Sequence, residues 1–236
     1  TEVKFGEWIE QGFKLYKNNF GIVVLASLVA AALTVVTMGI LAGPMAAGVC
    51  MITLRLFDGT EPKPEVGMVF RGFNYFLNSF LFFLVWGVGL IVVSFLLSIV
   101  PCVGQLAALF VIWAVQTLLM FGIFFIVDEE MEFWPASMKS IDNVKVNFWP
   151  FLGFFIVVSI IGSIGAILCG IGAVITAPIQ ACILTVAYRD IFRGKTYTPA
   201  SEDPSSGKNA PESVKPAGTS ENQEPSGTET EEKATE

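Results

Sequence analysis

Three long stretches of the chain carry no charged residue: Asn18 to Leu54, Gly72 to Val127 and Val146 to Tyr188. An uncharged apolar run of about 18 residues or more suits a helix that crosses a membrane. A soluble core has no need of three. The pattern predicts an all-α integral membrane protein, and the composition agrees. Charged residues make up 15% of the chain, where a soluble domain carries about 25%.

Each stretch is long enough for two spans of about 17–25 residues. Turn formers sit near each midpoint: Met38-Gly39 and Gly43-Pro44, then Pro101 to Gly104, then Cys169 to Gly172. Six spans are therefore expected, at about Phe20–Thr37, Ile40–Leu56, Phe80–Ile99, Val103–Val127, Phe148–Leu168 and Ala173–Tyr188. Charge supports the pairing. With three hairpins, all 14 basic residues fall in the two ends and the two long connections. Those regions share one side, which the positive-inside rule makes cytoplasmic. The expected setting is the inner membrane, multi-pass, with both termini cytoplasmic. The opening segment does not have the makeup of a cleaved signal peptide.

The three hairpins look like copies of one unit, with boundaries near 1–60, 61–128 and 129–197. A short amphipathic segment precedes each. Phe5, Trp8, Ile9, Phe13 and Tyr16 share one helical face, as do Val66, Val69, Phe70, Phe73 and Leu77, and then Trp134, Met138, Ile141 and Val144. Similar letters follow: Lys17-Asn-Asn-Phe20, Leu77-Asn-Ser-Phe80 and Lys145-Val-Asn-Phe148. The first and third copies also share a proline followed eleven positions later by arginine, Pro44 with Arg55 and Pro178 with Arg189. The second copy lacks that pair and ends in Asp128, Glu129 and Glu130. A period of about sixty residues is the mark of repetition. The amphipathic segments are expected to lie in the cytoplasmic interface as helices.

Trp8, Phe13, Tyr16, Arg55, Phe73, Trp134, Trp149, Tyr188 and Arg189 are the candidate interfacial anchors, because aromatic rings and snorkelling basic side chains favour that depth. Gly39, Gly43 and Ala47, then Gly162, Ala166 and Gly170, then Ala177 and Ala181, form small-residue stripes. Such stripes let helices approach closely, within one chain or between copies. Pro44 and Pro178 are candidate kinks. Gln105, Gln116 and Gln180 are the most polar side chains within the spans, suited to a polar path or to bonds between helices. Cys102 and Cys169 fall in expected outer turns, where an oxidising compartment would permit a disulfide. With no histidine and no metal-ligand spacing among the four cysteines, no metal or other cofactor is expected.

After Tyr197 the character changes. Residues 198–236 hold nine acidic residues against three lysines and no aromatic. This acidic tail is expected to be disordered, since it has too little apolar surface to offset its chain entropy.

The closing run Thr176 to Phe192, "TAPIQACILTVAYRDIF", resembles the last span of uncharacterised bacterial polytopic membrane proteins. It is also similar to the membrane domain attached to some glycerophosphodiester phosphodiesterases. The resemblance implies a six-helix bacterial membrane protein with no assigned chemistry. No nucleophile–base pair, carboxylate pair or phosphate loop suggests an enzyme. The sequence points to a non-catalytic scaffold or accessory subunit. Membrane lipids are its expected partners, with a membrane-protein partner or a homo-oligomer, and no nucleic acid. A small-solute transporter or channel is the alternative.

Overall fold

The apolar runs fold as helices throughout. The computed structural model describes residues 4–100, 103–167 and 171–197, apart from the side chains of residues 164–167 and 171–175. The helices are α1 (Phe5–Asn18), α2 (Phe20–Val36), α3 (Ala42–Phe57), a 3-10 helix (Val66–Tyr75), α4 (Phe76–Leu97), α5 (Val103–Leu119), α6 (Gly122–Asp128), α7 (Phe133–Val144), α8 (Phe148–Ile167) and α9 (Ile171–Arg193). There is no strand among the described residues. The expected disulfide at Cys102 and Cys169, Gly170 of the second small-residue stripe, and the acidic tail lie outside the described residues. So does the side chain of Ala166.

Three helical runs are long and apolar enough to cross a membrane: Val66–Leu97, Val103–Asp128 and Phe133–Ser163. The pair α1 and α2, bent by 90°, makes a fourth if it is taken as one span, and α3 is a shorter apolar helix. At 1.5 Å per residue, α2 and α3 reach about 25 Å, short of a hydrocarbon core about 30 Å thick.

The hairpin turn between α2 and α3 follows from local chemistry. Met38 and Gly39 take positive φ, 51° and 89°, and the Gly39 amide donates to the Thr34 carbonyl at 2.8 Å. Glycine tolerates that conformation, and its αL geometry closes a helix end. Nothing lies near the Cβ position of Gly39, so Gly39 is a turn residue and not part of a packing stripe. Pro44 is the third residue of α3. A first-turn proline removes no helical hydrogen bond, so the expected kink is not required there. Pro178 does lie inside α9, which runs on to Arg193.

The amphipathic segments differ from one another. α1 meets α2 at Asn19, whose backbone (φ −126°, ψ 26°) leaves the helical region and whose side-chain amide donates to the Leu15 carbonyl. The other two run on as single stretches with their apolar helices, unlike the bent pair α1 and α2, although Tyr75 (φ −105°, ψ 20°) also leaves the helical region before α4. The second segment is also a 3-10 helix, with 3.0 residues per turn. Its inward stripe is therefore Val66, Val69, Gly72 and Tyr75, while Phe70, Phe73 and Leu77 are exposed. In α7 the buried face is Ala136, Ser137, Ser140 and Val144, and Trp134 points outward.

The 3-10 helix packs on α3 and α7 on α5 and α6, the second arm of the preceding hairpin in each case, while α1 packs on α9, the second helix of the last hairpin. The contact residue recurs at one register. Gly12, Gly72 and Ser140 each stand eight positions before the junction phenylalanine. A Cβ on Gly12 would lie 2.7 Å from the Ile183 Cα, and one on Gly72 would lie 2.0 Å from the Pro44 carbonyl oxygen. At the third place the Ser140 hydroxyl donates to the Leu118 carbonyl at 2.6 Å. That carbonyl lies beside the break between α5 and α6, where freed backbone groups need a neighbour's polar atom.

Candidate functional site: the buried Arg189 cluster

The C-terminal ends of α3, α6 and α9 converge on one arginine. Asp58 follows α3, Asp128 closes α6, and Tyr188, Arg189 and Arg193 lie in the last two turns of α9. The Arg189 side chain is 7% exposed and pairs with both carboxylates, reaching Asp128 Oδ1 at 2.9 Å through Nη1 and Asp58 through Nη2. Arg193 Nη2 meets Asp128 Oδ2 at 2.8 Å, and Lys195 Nζ meets Asp58 Oδ1 at 3.2 Å. The Tyr188 hydroxyl donates to Asp128 Oδ2 at 3.0 Å. Three cations thus share two carboxylates. Asp128, through a hydrogen bond and its charge, raises the pKa of the Arg193 guanidinium. The Arg189 Nε–H is buried without a partner.

Aromatic rings pack around the base of this cluster. Phe124 stacks on Tyr188 at 5.1 Å, and Phe125 meets Phe192 edge-on at 4.8 Å. Phe121 packs against Tyr188 and Phe192 as well. One helical turn before Arg189, the Thr185 hydroxyl donates to the Thr53 hydroxyl at 2.8 Å, joining α9 to α3. Across the cluster, the Trp8 indole N–H donates to Asp190 at 2.8 Å and ties α1 to the same end. Lys139 of α7 pairs with Glu129.

The structure divides the expected anchors. Phe13, Phe73, Trp134 and Trp149 are exposed, as lipid- or interface-facing rings would be, and Arg55 is half-buried. Trp8, Tyr16, Tyr188 and Arg189 are buried inside the protein. Arg189 is therefore not a snorkelling anchor, because its guanidinium has exchanged water for two aspartates. The small-residue stripes divide too. Gly43 meets the Ser79 backbone of α4, Gly162 faces the Gln180 side chain, and Ala47 is in the core. Ala177 is exposed and Ala181 half-buried. Gln105 and Gln116 on α5 are exposed.

Asp58 and Asp128 are the residues of this cluster that the spacing of motifs did not single out as partners of Arg189. A signal for Asp128 was present. It closes the second hairpin where the first and third carry Arg55 and Arg189. A charge of opposite sign at an equivalent helix end is what a ring of converging ends needs. Buried pairs of this kind contribute little net stability, yet removing one partner costs about 3–5 kcal/mol because it strands the other charge. The arrangement suits holding three helix ends in a fixed relation. Among the described residues no group of three or more His, Cys, Asp or Glu comes together as a metal site would require.

The chain matches no protein-family model, no curated protein and no solved structure. What the fold defines is the class: an all-helical protein with several helices long and apolar enough to span a membrane.

Proposed function

We propose that the chain is a non-catalytic polytopic membrane protein, a scaffold or accessory subunit that holds lipid and protein partners on its outer faces. The observation that carries this reading is the sealed axis. Phe121, Phe124, Phe125, Tyr188 and Phe192 fill the centre under a closed ion cluster. The free surface is the apolar outside. On α4, Val88, Ile91, Phe95 and Leu96 are all at least half exposed, and a patch of that kind marks a lipid or protein contact.

The same reading includes six crossings in the inner membrane with both termini cytoplasmic. Its support is that α3, α6 and α9 end together, so a returning helix must lie between each pair. The short α2 and α3 then require local thinning of the bilayer, at a modest cost per ångström of mismatch. The common register of Gly12, Gly72 and Ser140 supports three repeated units about an axis along the membrane normal. The likeness of Thr176 to Phe192 to bacterial polytopic proteins favours the same setting.

A transporter is the second reading, and one observation favours it. Paired ionisable groups buried within a helix bundle mark ion or proton pathways in many carriers, and Arg189 is buried against Asp58 and Asp128. Extraction in a mild detergent followed by mass spectrometry separates the two. A partner at fixed stoichiometry is expected for the scaffold. Solute flux into liposomes holding only this chain would replace the scaffold with the carrier.

A further inference from the structure

Gln116 stands at the middle of Val103–Asp128, a 26-residue run fit to cross a membrane. Its side chain is exposed and makes no hydrogen bond among the described residues. At that depth lipid offers neither donor nor acceptor, so a lone carboxamide is costly. Gln105 stands eleven positions earlier, also exposed and also without a bond. Eleven residues make three turns and a little more, so both amides lie on one stripe, about 16 Å apart along the helix. Leu109, exposed, and Ile112, half-buried, lie between them.

We propose that this stripe is the seam of a symmetric dimer, in which α5 of a second copy lies parallel against it. A carboxamide carries both donor and acceptor and so complements itself. Copies in one membrane insert the same way up. A two-fold axis along the membrane normal therefore sets Gln116 opposite Gln116 and Gln105 opposite Gln105 of the second copy, each at its own depth. An unrelated helix would need polar groups at two matching depths; a second copy has them by identity. The stripes around Gly43 and Gly162 do not supply this seam, since both glycines are occupied within the chain by Ser79 and Gln180. The inference rests on the reading that Val103–Asp128 crosses the membrane.

The test uses the full chain in native membranes, with its four cysteines changed to alanine and Leu109→Cys introduced. Mild oxidation should give a disulfide-linked dimer, with about five-fold less from Ile91→Cys on the exposed face of α4. Adding Gln105→Leu and Gln116→Leu should reduce linking at Leu109→Cys about five-fold, and asparagine at both sites should restore it. As a check free of substitutions, the wild-type chain in lipid nanodiscs should have the mass of two copies. A single-copy mass, equal linking at both cysteine positions, or linking only to a different protein overturns the dimer. Alkaline carbonate extraction separates the two layers of the argument. Chain released into solution removes the membrane reading itself, whereas chain that stays inserted and does not link removes the dimer alone.

Discussion

Arg189 exchanges its hydration for Asp58, Asp128 and the ring of Tyr188. Neutralising one of those carboxylates leaves a buried guanidinium short of a counter-charge. Asp128→Asn should therefore destabilise the chain by about 3 kcal/mol, read as a lower thermal midpoint in detergent. Arg189→Met added to that variant should recover part of the loss, because an apolar side chain of similar length needs no counter-charge. An unchanged midpoint for Asp128→Asn contradicts the cluster. Gly72 gives a second expectation at this scale. A Cβ there lies 2.0 Å from the Pro44 carbonyl oxygen, whereas nothing lies within 4 Å of the Cβ position of Gly67. Gly72→Ala should cost about 1–3 kcal/mol through overpacking, and Gly67→Ala should be close to neutral. Equal midpoints for the two variants would show that the close approach of the 3-10 helix to α3 is absent.

At the scale of elements, the sequence made the helices visible and hid part of their orientation. Uncharged length marked the apolar helices, and paired breakers marked the turn at Met38-Gly39. Periodicity misled where the helix type changed. A spacing of three and four put Val66, Val69, Phe70, Phe73 and Leu77 on one face, but the 3-10 geometry splits that face, burying Val69 with Gly72 and leaving Phe70, Phe73 and Leu77 exposed. In α7 the small polar residues are buried and the large Trp134 is not, because the neighbouring helices leave room for hydroxyls that bond their backbones. Ser137 receives the Trp86 indole N–H at 2.9 Å, and Ser140 serves the Leu118 carbonyl. Hydrophobicity scales cannot show such a face. Ser140→Ala leaves that carbonyl unpaired at the break after α5, at a cost of about 1–3 kcal/mol. Amide hydrogen exchange at Phe121 to Ile123 should speed up in this variant while exchange in α2 stays as it was. Unaltered exchange at the break would mean that the hydroxyl does not hold it.

For the molecule as a whole, chain order conceals where the first amphipathic segment docks. The contact of α1 with α9 joins the two extremes of the described chain, and no local pattern announces it. The convergence of Asp58, Asp128 and Arg189 is hidden for the same reason. Each lies at the end of a different hairpin, and only the presence of a charged residue at the close of each uncharged stretch, Arg55, Asp128 and Arg189, hinted that the ends meet. The central claim is that three hairpins leave every basic connection on one side. Single cysteines placed in turn at Met38, Cys102 and Cys169, and at Gly59, Lys63 and Asn143, test it directly with an impermeant thiol reagent on intact and opened cells. The first three should label from outside. The last three should label only after opening, and any connection that labels from outside, or any turn that does not, contradicts the account.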